Sequence, residues 1–289
     1  MYYTFSFLSL LKKTGKIALM LLLFCLFSFL LWKGMLFLTN QIRNDIFSDI
    51  LRLQPVAGIS TFLAMIMTVF LFHKLLDREH IRNLGLAPYR MIINILVGIL
   101  FCVAMLCSGF IIIIILTGSS FSVIAPHRLS LLISAGVFLL SAFTEEIIFR
   151  GYVLRNFLSV IPKFLALLFS SCIYAALHAC NAHFGWIALG NTVLLGMFLG
   201  ISYIYTQNLW LPIALNWSWN FVQGFFGFSV SGDSFNNAFI HQNKFIESFI
   251  SGGSYGFEGS IVASALLIAG ILLQFFYFRN RELEYNTFS

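Results

Sequence analysis

Charge is what this chain has least of: 10% of its 289 residues are Asp, Glu, Lys or Arg, 60% are hydrophobic, and mean hydropathy is +0.92. A chain with so few charges cannot cover the surface of a soluble globular domain, and no segment outside its apolar runs is long enough to form one. Basic residues do not cluster outside those runs, as a nucleic-acid-binding face requires, so RNA and DNA are excluded as partners. The five cysteines, Cys25, Cys102, Cys107, Cys172 and Cys180, lie in or beside apolar runs without metal-ligand spacing and read as small hydrophobes. There is no HExxH motif, which argues against a zinc site built on it, and no pair of aspartates within an apolar run. Internal repeats and paired broken helices are missing too, which argues against a transporter.

Apolar runs are what remain. Eight are long enough to count as membrane spans: roughly 17–38, 55–76, 91–117, 129–155, 164–182, 185–205, 209–228 and 260–278. The expected fold is therefore an all-α polytopic membrane helix bundle with about eight transmembrane helices. The first run lacks a small-x-small cleavage site and reads as a retained helix rather than a signal peptide. Eight passes put both termini on one side. That side collects twelve of the seventeen basic residues, among them Lys12, Lys13, Lys16, Arg150, Arg155 and Lys163, so the termini are expected in the cytoplasm and the protein in the cell membrane. Residues 1–128 read as scaffold, 129–232 as a motif-bearing core, and 233–289 as an outer loop and last helix. The loop Val230 to Gly259 reads as a lid or a connection, and Lys74 to Arg90 as a solvated inner loop. Gly196 and Gly200 give the sixth run a small surface suited to close helix packing.

Polar groups at membrane depth are costly and usually functional. Here they are Glu145, Glu146, His178, Asn216 and Asn220. Glu146 and Arg150 are four residues apart, so on a helix they share a face and can pair; Glu145 points about 100° away and is left for other work. Tyr174 and His178 share a face in the same way, as do Asn216 and Asn220. If the three helices meet, a carboxylate and an imidazole can activate water while amide N–H groups stabilise an oxyanion, a set able to hydrolyse an amide. The depths agree only if the fourth span stays helical past Arg150 toward Arg155. The bland alternatives are an inert packing pair and a core histidine satisfied by its neighbours.

Three short patterns, in order along successive spans, resemble those of the CAAX prenyl endopeptidase and bacteriocin-processing (Abi) intramembrane proteases. EExxxR is intact at Glu145, Glu146 and Arg150. FxxxH is present with Tyr174 in the aromatic position before His178. HxxxN is present as Asn216 and Asn220, with asparagine in the place of the family's histidine. The resemblance covers Ser141 to Gly232, about a third of the chain. It implies an eight-helix membrane protease whose substrate is a peptide or protein at the bilayer. By that resemblance, Glu145 and His178 activate water, Arg150 orients Glu146 and Asn220 donates to the oxyanion. Asn216 can donate a hydrogen bond but cannot carry a proton or act as an imidazole ligand. The resemblance leaves open a divalent metal such as zinc, with Glu145 and His178 as its candidate ligands. The alternative on the same fold is a non-proteolytic protein acting in bacteriocin self-immunity or peptide binding, and a transporter comes third. The family pattern does not require a prenylated substrate.

Overall fold

A computed structural model describes residues 7–41, 49–72, 74, 84–124, 128–234, 239–244 and 249–287. Among them, eight helices follow the eight apolar runs one for one. They are α1 (Phe7–Gln41), α2 (Asp49–Leu71), α3 (Met91–Thr117), a composite fourth helix, α6 (Lys163–His178), α7 (Trp186–Thr206), α8 (Trp210–Phe225) and α9 (Ile261–Thr287). The composite consists of α4 (Arg128–Glu146), a π-helical stretch Ile147–Leu154 and α5 (Arg155–Leu158). The chain is thus helical well past Arg150, as the depth argument requires. Its winding there is π rather than α, a local widening that recurs at functional sites.

Among the described residues, five helices are long and apolar enough to cross a membrane: Phe7–Phe37, Met91–Thr117, Arg128–Leu158, Trp186–Thr206 and Ile261–Arg279. Their outward faces carry leucine, isoleucine and phenylalanine more than a third exposed, as lipid contact demands. The helices that carry His178, Asn216 and Asn220 are the short ones. α6 and α8 have sixteen residues each, about 24 Å of rise, against a hydrocarbon thickness of about 30 Å. His178 is the last residue of α6, whereas Asn216 and Asn220 lie in the middle of α8.

Packing explains the placement. α8 is buried along most of its length and lies against α3 and α4. A Cβ on Gly98 of α3 would come within 2.8 Å of Ala214, and the Trp217 indole N–H donates to the Ala135 carbonyl of α4 at 3.0 Å. The α7–α8 turn is clamped at its base: Asn208 donates to the carbonyls of Ala87 and Tyr89 and accepts from the Trp210 N–H at the start of α8. That clamp uses the described end of the Lys74–Arg90 loop; residues 73 and 75–83 lie outside the described residues. α7 meets α6 through its two glycines, Gly196 against Ser171 and Gly200 against Leu167.

One feature adds to the all-α expectation. β1 (Ser120–Val123) pairs antiparallel with β2 (Ile240–Lys244), tying the α3–α4 loop to the segment after α8. The stretch Val230–Gly259, in its described part, is folded rather than loose; 235–238 and 245–248 lie outside the described residues. Gly232 donates to the Tyr255 carbonyl. Gly232 and Gly256 both have positive φ, and a Cβ would collide with the Ala182 carbonyl oxygen at the first and the Ser229 carbonyl oxygen at the second. Only glycine permits backbones this close. The segment therefore lies directly against the α6–α7 loop.

Candidate active site

The fold brings the six polar residues singled out in the sequence to one place, and they divide into two groups. Glu146, Arg150 and Asn216 form a fully buried strut. The Arg150 guanidinium donates to Glu146 Oε1 at 2.8 Å and to the Gly196 carbonyl at 3.2 Å, and lies 4.8 Å from the centre of the Tyr174 ring. Asn216, with no exposed surface, donates through Nδ2 to Glu145 Oε2 at 3.0 Å and to Glu146 Oε1 at 2.8 Å. Both its N–H groups are thereby spent, and its Oδ1 accepts from Asn220 at 3.1 Å. A neutral imidazole has one N–H and could reach only one of the two glutamates this way. The asparagine thus serves as a bridge between carboxylates, away from the cavity wall.

Glu145, Tyr174, His178 and Asn220 line a small cavity, with room for the centre of a water molecule over about 20 Å³, space for about one water. Glu145 is held at both oxygens: Oε1 accepts from the Ser141 hydroxyl at 2.8 Å, and Oε2 accepts from the Tyr174 hydroxyl at 2.9 Å and from Asn216. Three of about four acceptor positions are filled. The tyrosine that departs from the FxxxH pattern supplies one of those bonds, which phenylalanine cannot.

His178 is the last residue of α6, where helix carbonyls lack partners. Its Nδ1 lies 2.9 Å from the Tyr174 carbonyl oxygen. A carbonyl only accepts, so Nδ1 carries the proton, and in the neutral ring Nε2 keeps its lone pair. Asn220 spends one N–H on Asn216 and has a second to give.

The residue that sequence reasoning missed is Glu258. It stands in the short 3-10 turn Phe257–Gly259 before α9, is 6% exposed, and lines the same cavity with Asn191, Thr192, Trp219 and Ser231. Its Oε1 accepts from the Trp219 indole at 2.9 Å and from Gln223 at 3.2 Å, and its Oε2 accepts from Ser231 at 2.9 Å. An acid directly before the last apolar run was the available signal.

A catalytic zinc ion takes three protein ligands and keeps an open position. Among the described residues no group of three His, Cys, Asp or Glu side chains lies close enough to hold a metal. The donors that bind Glu145 already occupy most of its lone pairs. This donor set does not fit such an ion.

Residues 127–222 match the Rce1-like family model, type II CAAX prenyl endopeptidase. The match covers about a third of the chain, agrees with the family that the motifs resemble, and contains all six motif residues. It stops short of Gln223 and Glu258. No curated protein and no solved structure matches the chain.

Proposed function

We propose that the protein is a multi-pass membrane endopeptidase that hydrolyses a peptide bond with water activated by Glu145 and His178. The observation that carries the reading is that Glu145, His178 and Asn220 line one cavity of about one water's volume. In it, Glu145 retains an acceptor position, His178 Nε2 a lone pair and Asn220 an N–H. A water between the first two gives up a proton as its oxygen attacks the peptide carbonyl. The Asn220 amide N–H stabilises the oxyanion, and the proton passes to the leaving amine. Arg150, Glu146 and Asn216 are positioning residues in this scheme, because they reach the cavity only through Glu145, Asn220 and Tyr174.

The positive-inside balance puts both termini in the cytoplasm. On that orientation, the α6–α7 loop and the Ser231–Gly232 turn lie on the opposite face. Trp186, 88% exposed at the start of α7, suits the headgroup level there. The substrate is accordingly a peptide segment at that outer interface rather than a prenylated cytoplasmic tail. A cavity of one water's size also supports a second reading, a non-proteolytic member of the fold that binds peptides or confers immunity.

The deciding experiment presents a panel of membrane-tethered peptides to the purified protein in lipid. Cleavage by wild type should fall by about 10²-fold or more in Glu145→Gln. Equal cleavage by the two would remove Glu145 from the chemistry, and a cellular phenotype untouched by the substitution would favour the second reading.

A further inference from the structure

The Glu258 end of the cavity is built almost entirely of acceptors. The Ser231 hydroxyl donates to Glu258, the Thr192 hydroxyl to the Ala188 carbonyl at 2.7 Å, and the Trp219 indole to Glu258. The Asn191 amide spends both its N–H groups on the carbonyls of Glu258 and Ser260, each at 2.7 Å. What these lining residues have left to offer is oxygen lone pairs: Glu258 Oε2, Ser231 Oγ and Thr192 Oγ1. Behind them the Tyr255 hydroxyl, on a side chain 3% exposed, lies beside Asn181, Ser231 and Thr192.

The carboxylate itself has only neutral donors. Arg150–Glu146 is the one ion pair among the described residues, so Glu258 has no cation of its own there. Burying a carboxylate without a cation is costly, and a ligand that brings one recovers that cost. The occupant that fits must donate several hydrogen bonds, carry positive charge, and be about the size of the single water for which the cavity has room. A guanidinium is too large. A metal ion is not favoured, since no three-ligand group is within reach.

We propose that Glu258, with Thr192 and Ser231, forms a subsite for an ammonium group. The ammonium is either a peptide's N-terminal amine or a lysine Nζ. Its binding does not rest on the proteolytic reading above. An ammonium has three N–H groups to give to the oxygens of Glu258, Ser231 and Thr192, and charge-assisted bonds of this kind are the strong ones.

The test measures binding to the full-length protein in lipid of four probes. Nα-acetyl-lysine amide and glycine amide carry the two candidate amines. Nα-acetyl-norleucine amide and Nα-acetyl-glycine amide are their neutral counterparts. At least one amine should bind wild type about tenfold or more tighter than its counterpart, and the advantage should vanish in Glu258→Gln. The arm that binds identifies the source of the ammonium. Equal binding of amine and neutral probe, or an advantage that survives Glu258→Gln, would overturn the subsite. The wild-type comparison stands even if the variant fails to fold.

Cleavage of the peptide panel is read separately. An amine preference without cleavage defeats only the proteolytic reading. Cleavage without an amine preference defeats only the subsite.

Discussion

Glu146 and Glu258 are both carboxylates taken almost wholly out of solvent, and they are held in opposite ways. Glu146 is bonded to a cation of the same helix, Arg150, and to the Asn216 bridge. Glu258 is bonded to an indole, an amide and a hydroxyl, all neutral, and faces a cavity. A buried acid with a resident cation has its charge balanced inside the bundle, even with Glu146 Oε2 accepting no bond, and holds its neighbours in place. One held by neutral donors remains able to receive a cation. Glu145 lies between these cases, bonded to neutral groups but beside the Arg150 strut through Asn216, with one acceptor position still open to the cavity.

The comparison breaks most readily at Arg150. Arg150→Met leaves Glu146 without its cation and should cost about 3–5 kcal/mol, read as a large fall in the thermal unfolding midpoint in detergent. A small fall would mean that the pair is not the strut described. Asn216→Ala removes donors from two buried carboxylates and should cost about 2–3 kcal/mol. Asn216→His restores one bond to a glutamate and should recover part of that loss in the same measurement.

Tyr174→Phe sharpens the intermediate status of Glu145. It deletes a single hydroxyl bond, so about 1 kcal/mol of stability and a several-fold fall in cleavage are expected. Cleavage unaffected by this change would detach Tyr174 from the chemistry. Glu258→Gln should be the mildest of the four in stability, within about 1 kcal/mol, because an amide oxygen can still accept from Trp219 and Gln223. If it destabilised the protein as much as Arg150→Met, the contrast between the two acids would collapse.

The helices were legible because hydropathy fixes where a chain can cross a bilayer without exposing its backbone, and all eight runs became helices. The extension of the fourth helix past Arg150 followed from matching depths. Its π winding did not, because the hydrogen-bond register inside an apolar helix leaves no mark in residue spacing. The β1–β2 pairing was equally hidden: Ser120–Val123 and Ile240–Lys244 are over a hundred residues apart, and a short strand pair carries no periodic signal. The six motif residues were found by their type and depth, whereas Glu258 was passed over because a loop acid reads as solvated unless tertiary contacts bury it.

What the sequence determined by itself is a set of apolar helices with a few polar groups at depth, because taking an ionisable side chain into a bilayer costs too much to be incidental. Which of those groups face a cavity and which brace it was decided only by packing. Asn216 is a bridge because α8 seats it between two glutamates of α4. Asn220, one turn later, reaches the cavity wall. Glu258 joins the site because Gly232 and Gly256 let the loop backbone approach more closely than any Cβ permits. Spacing places two residues on the same helix face. Only the neighbouring helices determine what that face meets.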